Sequence, residues 1–367
     1  MKLITTKQAL VESLGIAGKA VSSRSSIQVL SGILLEAREE EITLSATDME
    51  VSIKLPLVGR VEQTGSLVVP ARIVTDIARS LPTGEVILEQ VPGSTQLEIK
   101  AGESVFALNT LPATDFPQLP VFEGQGFVLE KAAFLETVDR VAPAASKDEM
   151  RPVLTGVLIN FDVETVQMVA TDSYRLSVKE TAVKSSISDK IMVIVPARTL
   201  LELSRIAGAT ESTDLRIEPT ENQVMFQVGD IYLISRLIDG QFPNYRQLIP
   251  ETFDYEIALD RDEVLEAVGR IGLLAPKGAP LRMHFANNFL TISAESHDVG
   301  KAQESLPVPY SGEELEIGFN PEYVEAGIAA VKESPVYLRL ISSLRPGLIK
   351  GAGDDFLYLV MPIRLSD

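Results

Sequence analysis

Residues 2–21 read KLITTKQALVESLGIAGKAV. A short apolar strand, Lys2–Thr5, runs directly into a segment whose apolar residues Leu10, Leu14, Ala17 and Val21 are spaced 0, 4, 7 and 11. That spacing lines all four along one side of an α-helix. The same spacing returns at Phe134, Val138, Val141 and Ala145, behind the strand Phe127–Glu130. It returns again at Val264, Val268, Ile271 and Ala275, behind the strand Tyr255–Leu259. One strand–helix unit has been used three times, so the chain is read as an internal repeat.

Landmarks outside that unit keep the same order. Ala46-Thr47-Asp48 aligns with Ala170-Thr171-Asp172 and with Ala294-Glu295-Ser296, 124 residues apart both times. Val69-Pro70-Ala71-Arg72 aligns with Val195-Pro196-Ala197-Arg198, and Phe319-Asn320-Pro321-Glu322 stands third. Phe116-Pro117 aligns with Phe242-Pro243, and Tyr232-Leu233 with Tyr358-Leu359. In the first copy, β-branched alternating runs at Ile33–Ala37, Ile42–Ala46, Val51–Leu55 and Leu67–Val69 predict strands. Pro70 then opens a helix over Ala71–Ser80, where its missing N–H costs nothing. Strands at Val86–Gln90, Gln96–Lys100 and Val105–Asn109 close the copy. Short antiparallel strands with two helices predict an α+β fold, three tandem copies of a two-helix, antiparallel-sheet domain. The copies are placed at 1–122, 126–250 and 251–367, with links at Gly124-Gln125-Gly126 and near Leu248–Thr252.

Composition narrows the function. The chain has 367 residues, 45% apolar, which allows a core in each copy. It has no cysteine, which excludes disulfides, thiol catalysis and thiolate metal sites and fits a cytoplasmic protein. The amino-terminal MKLITTKQAL lacks an apolar signal-peptide core, and no apolar run approaches the ~20 residues of a membrane helix. The net charge is −18, so the summed field would repel nucleic acid unless the basic residues gather on one surface.

Basic residues do recur at matched places. Arg72 and Arg79 are seven apart in the second helix of copy one, as are Arg198 and Arg205 in copy two. Seven residues at about 100° each bring such a pair within roughly 20° of one helix face. Lys7, Lys19 and Arg24 flank the first helix, Lys131, Arg140 and Lys147 its second copy, and Arg261, Arg270 and Lys277 its third. Copy three has Glu322 and Ala329 at the places of the Arg pair. Solvated helix faces explain any one of these cations. Their recurrence points to a basic face on an acidic body, able to hold a phosphate backbone without reading bases.

A search for catalysis is negative. His284 and His297 occur in copy three alone, and no Walker loop, GxGxxG or HExxH is present. Asp48 and Asp172 could serve as metal ligands or bases, but a Thr-Asp pair between two strands reads more simply as a turn device. No catalytic, metal or cofactor site is assigned.

Longer motifs carry a family resemblance. Ala-Thr-Asp-Ser-Tyr-Arg-Leu at 170–176, the two Val-Pro-Ala-Arg segments, Leu-Pro-Ala-Thr-Asp-Phe-Pro at 111–117, Asp-Gly-Gln-Phe-Pro-Asn-Tyr-Arg at 239–246 and Val-Met-Pro-Ile-Arg-Leu at 360–365 resemble the bacterial DNA sliding clamps. The resemblance spans essentially the whole chain. It implies a head-to-tail homodimer closed into a ring around duplex DNA, opened by an ATP-driven loader. Such a ring is a non-enzymatic processivity factor for the replicative polymerase and repair proteins. Arg24 joins Arg72, Arg79, Lys147, Arg198 and Arg205 as DNA-facing cations.

The resemblance also implies a partner-peptide groove between the second and third domains. By position it maps to Arg151, Leu154, Thr171, Tyr174, Arg175 and Leu176, to Pro243, Gln247 and Leu248, to Ile341 and Ser343, and to Leu359, Val360, Met361, Pro362 and Arg364. Core packing competes as a reading for Leu154, Leu176 and Val360. The chain departs from the family pattern at Tyr174, Gln247, Pro152-Val153 and the final Ser366-Asp367. For the dimer seam the resemblance points to Leu108 against Leu273 and Leu274. Two other readings compete: a triplicated metabolic enzyme using Asp48 and Asp172, and a monomeric peptide-binding scaffold.

Overall fold

The computed structural model describes residues 1–22, 26–120, 124, 126–183, 190–275, 278–296 and 298–365. Copy one opens with β1 (Lys2–Thr6) and α1 (Lys7–Ala17), then β2 (Gly32–Arg38), β3 (Glu41–Thr47), β4 (Val51–Pro56), β5 (Gly59–Gln63) and β6 (Gly65–Pro70). It continues with α2 (Ala71–Ser80), β7 (Glu85–Gln90), β8 (Gln96–Ala101), β9 (Ser104–Asn109) and the two-residue β10 (Leu111–Pro112). Copy two holds β11 (Phe127–Glu130), α3 (Lys131–Val141), β12 (Gly156–Phe161), β13 (Thr165–Thr171), β14 (Arg175–Ala182) and β15 (Ile191–Pro196). After α4 (Ala197–Gly208) come β16 (Asp214–Pro219), β17 (Gln223–Val228) and β18 (Ile231–Arg236). Copy three holds β19 (Tyr255–Leu259), α5 (Arg261–Gly272), β20 (Leu281–Ala286), β21 (Phe289–Ser296), β22 (Gly300–Pro307) and β23 (Leu315–Phe319). It ends with α6 (Pro321–Ala330), β24 (Val336–Leu340), β25 (Gly347–Lys350) and β26 (Phe356–Val360).

The repeated apolar stripes become core. Leu10, Leu14 and Ala17, then Phe134, Val138 and Val141, then Val264, Val268 and Ile271 are all buried. The fourth member of each stripe falls outside its α-helix, because α1, α3 and α5 end at Ala17, Val141 and Gly272. Phe134 stacks on Phe161, with ring centroids 6.5 Å apart and the planes parallel within 1°. In copy one, β5 and β10 lie outside the strands that the sequence pattern predicts. Pro70 is the capping residue in front of α2, with extended backbone at φ −60° and ψ 113°, not the first residue of the helix.

Sheets do not respect the copies. In the sheet ordered β10-β6-β2-β3-β4-β18-β17-β16-β11, strand β4 of copy one pairs with β18 of copy two. In the sheet ordered β15-β12-β13-β14-β26-β25-β24-β19, strand β14 of copy two pairs with β26 of copy three. The remaining sheets run β5-β1-β7-β8-β9 and β22-β21-β20-β23. The chain accordingly condenses into two compact units that cut across the repeat. One comprises Met1–Lys131 with Glu202–Leu237, and the other Ala132–Leu201 with Ile238–Asp367. The pairing also corrects one alignment. Val51 pairs with Ser235 and Arg175 with Val360, so Met361 corresponds to Arg236, and the Tyr232/Tyr358 match is one residue out of register.

One device recurs in all three copies. The first residue of the first helix sends its cation to the carbonyls that end the second helix. Lys7 Nζ donates to Leu81 O, and Lys131 Nζ to Ala207 O at 3.0 Å and Thr210 O at 2.8 Å. Arg261 Nε donates to Val331 O at 2.5 Å. Carbonyls at a helix end lack a partner N–H one turn further along the helix and carry the negative end of its dipole, and Ala207 O accepts from Thr210 N as well.

Candidate peptide groove and nucleic-acid surface

The turn between β13 and β14 is built by side chains bonding local backbone. Thr171 Oγ1 donates to Arg175 O at 2.6 Å and accepts from Ser173 N at 3.1 Å. Asp172 Oδ1 accepts from Tyr174 N at 2.9 Å and Arg175 N at 3.0 Å. Ser173 takes φ 80°, a left-handed conformation this bonding supports. The turn between β3 and β4 is the same object. Thr47 Oγ1 accepts from Met49 N, Asp48 Oδ1 accepts from Glu50 N and Val51 N, and Met49 takes φ 77°. The Thr-Asp pairs are turn devices, and no group of three or more His, Cys, Asp or Glu among the described residues could hold a metal.

Arg175 is locked from four sides. Its Nε donates to Asp172 Oδ2 at 3.0 Å, Nη1 to Tyr358 Oη at 3.2 Å and Nη2 to Pro143 O at 2.7 Å. Its guanidinium lies 4.5 Å from the centroid of the Tyr323 ring. Burial pushes the Tyr358 phenol up to about 12. Arg151 is held more loosely, with Nε on Asp148 Oδ2 and Nη1 on Ser173 Oγ, both at 3.0 Å. The backbone N–H of Met150, followed by Arg151, holds the Asp148 carboxyl below its usual range.

Around this turn lies an apolar cluster that includes Leu176, Leu359, Val169, Ile194, Tyr245 and Leu348. Leu176 pairs with Leu359 across β14–β26, Arg175 pairs with Val360, and Met361 N donates to Tyr174 O at 2.8 Å. The segment carrying Pro243, Gln247 and Leu248 enters through Phe242, Tyr245 and Ile249, with Tyr245 Oη donating to Gln167 Oε1 at 2.8 Å. Leu154, Thr171, Leu176, Leu359 and Val360 are buried, so they are core under the surface. Pro243, Gln247, Leu248, Tyr174, Met361 and Arg364 are exposed, with Tyr174 60% and Met361 38% accessible. Ile341, Ser343 and Pro362 are half-buried. The tail continues past Met361 and bonds again, Ile363 N to Gly318 O at 2.8 Å, which covers the free edge of β23. Reading the sequence missed Asp172, Tyr323, Tyr358 and Pro143 as the mounts of Arg175. The repeated Thr-Asp pair was the signal for Asp172, but the others come from distant sequence.

The cations divide in two. Arg72, Arg79, Lys147, Arg198 and Arg205 are exposed, though Arg205 also pairs with Glu202 at 2.6 Å. Several other cations of the repeat serve structure. Lys7, Lys131 and Arg261 hold helix ends, as above. Arg140 is buried, paired with Glu136 at 2.7 Å, and so is not part of an outer basic face. Lys19 reaches Glu202 at 3.7 Å, and Arg270 is held by Glu304 at 2.7 Å and Glu266 at 3.0 Å. Arg24, Lys277 and the Ser366-Asp367 ending lie outside the described residues.

Three family descriptions match the chain in order. They are the N-terminal, central and C-terminal domains of the DNA polymerase III beta subunit, over residues 1–120, 128–244 and 246–364. The chain belongs to the bacterial DNA sliding-clamp family. It is 33% identical to the beta sliding clamp of Synechococcus elongatus and 30% identical to that of Streptomyces coelicolor, each over 100% of both chains. The sliding clamp of Bacillus subtilis superposes with a TM-score of 0.92 at 30% identity, covering 100% of both chains. The Pseudomonas aeruginosa clamp bound to griselimycin gives 0.91 at 30% identity, again with 100% coverage of both. Clamp-family architecture accounts for three tandem α+β domains with no catalytic centre. No helix among the described residues is long and apolar enough to cross a membrane.

Proposed function

We propose that two copies of this chain close head to tail into a ring around duplex DNA, and that the ring is a processivity factor for DNA polymerase. The observation that carries this reading is clamp similarity over the full length of the chain and of its relatives. The ring is non-catalytic and works in the cytoplasm, where it tethers polymerase, clamp loader and repair proteins. Arg72, Arg79, Lys147, Arg198 and Arg205 face the phosphates, and Arg24 joins them. Phosphate contacts carry no sequence information, so such a lining permits sliding, while the acidic remainder of the surface disfavours other contacts with DNA.

The seam joins β9 of one copy to β22 of the next. Both are outermost strands of their sheets, with backbone groups ready for a partner. Leu108 lies half-buried on β9, Leu273 is 85% exposed, and Leu274 is half-buried beside it. A head-to-tail contact of this kind closes when the rotation allows. The domains run 1–122, 126–250 and 251–367, and partner peptides and griselimycin occupy the groove around Arg151, Tyr174, Arg175, Pro243, Leu248 and Met361. The test is loading onto a nicked circular plasmid followed by gel filtration. The protein should co-elute with the circle and leave when a restriction enzyme linearises it. Release that ignores DNA topology would refute the ring.

A further inference from the structure

The repeat builds the frame of the groove twice. At the junction of copies one and two, β4 pairs with β18 as β14 pairs with β26, and both frames carry the same Thr-Asp turn. Arg236 N donates to Glu50 O at 2.9 Å, as Met361 N donates to Tyr174 O at 2.8 Å. A small apolar cluster of Val29, Leu30, Val68 and Phe116 lies in the same unit as this first frame. Both residues that share this backbone bond change character between the frames, and beside them Val51 stands in place of Arg175 and Ser52 in place of Leu176. Tyr174 and Met361 in one frame are Glu50 and Arg236 in the other.

Glu50 and Arg236 form an ion pair at 3.8 Å, with side chains 67% and 56% exposed. An exposed pair adds little stability. Its effect on a docking peptide is different. An apolar anchor laid over that frame would strip water from two charges whose contact is too long to compensate them. Over Tyr174 and Met361 the same anchor covers an aromatic ring and a thioether, which gain from losing water.

We infer that the Glu50–Arg236 pair is a specificity determinant: it shuts the frame between copies one and two and confines groove ligands to one site per chain. This rests on the groove assignment above. Specificity arises here by repulsion at the wrong site as much as by attraction at the right one.

Calorimetric titration of the full chain with griselimycin tests the inference by stoichiometry. Wild type should bind one equivalent per chain. E50Y/R236M should bind two, and Y174E/M361R, which carries the pair into the groove, should weaken binding at least ~10-fold. The four positions are exposed or at the edge of a turn, and melting curves check that each variant folds. If E50Y/R236M does not fold, E50Q/R236Q must show the second equivalent. One equivalent in the folded variant, or undiminished affinity in Y174E/M361R, overturns the inference and leaves the groove standing. No binding by wild type overturns the groove assignment itself.

Discussion

Arg175 fastens the turn between β13 and β14 to its surroundings. Its partners come from copy two (Asp172, Pro143) and copy three (Tyr323, Tyr358), so one guanidinium ties the two copies. Tyr358→Phe removes the acceptor of Nη1 and should cost about 1 kcal/mol in urea unfolding at neutral pH. The same variant should change the alkaline limb. The folded phenol binds its proton more tightly than the ordinary value of 10.0, up to about 12. A raised pKa gives stability that is complete below pH 10 and fades between pH 10 and 12, by about 2–3 kcal/mol. Melting temperature in that window should fall less steeply for the variant than for wild type. Lys179 gives the acid-side counterpart. Its side chain is 6% exposed, and its ammonium meets Asp355, 57% exposed, at 2.7 Å. The Lys179 hydrogen bond holds the Asp355 carboxyl below its usual range. A depressed pKa gives stability that is present above about pH 4 and lost as pH falls through the folded value. Asp355→Asn should flatten the acid limb and cost about 1–2 kcal/mol at pH 7, less than a fully buried pair because water screens the carboxylate.

At the scale of elements, sequence was a good guide wherever a pattern is local. The periodic stripes became buried helix faces, α2 spans Ala71–Ser80 as read, and β19 spans Tyr255–Leu259 as read. What escaped was non-local. β5 (GRVEQ) is almost wholly solvated, so no alternation betrays it. Pairing of β4 with β18 and of β14 with β26 depends on contacts across copies, which periodicity cannot report. For the same reason the motifs point to the candidate groove positions but not to the mounts of Arg175. Charge was legible only as a list: Arg140 and Lys131 look like surface cations in sequence and prove to be structural. The stripes carry a clear cost. Phe134 is 1% exposed and stacked on Phe161, so Phe134→Ala should lose about 3–5 kcal/mol in urea unfolding. Gly327 marks a close approach of α6 to β26, since a Cβ there would stand 2.6 Å from the Tyr358 ring. Gly327→Ala should therefore destabilise the protein although alanine favours helix.

For the whole molecule, the seam decides whether the ring exists. In the proposed seam, strand β9, SVFALN, brings no charged residue, so its side of the contact rests on backbone bonds and uncharged side chains. Leu108→Asp with Leu273→Asp should shift the mass in light scattering from dimer to monomer, with the melting of each unit little changed. A dimer that persists would place the seam elsewhere. The cation that closes each helix pair has a further consequence. Lys7, Lys131 and Arg261 grip main-chain oxygens, which every residue possesses. The fastening therefore asks nothing of the side chains on the second helix, and after duplication those side chains were free to drift. Copies one and two could keep an arginine pair there, and copy three could replace it with Glu322 and Ala329, without any of the three helix pairs coming undone.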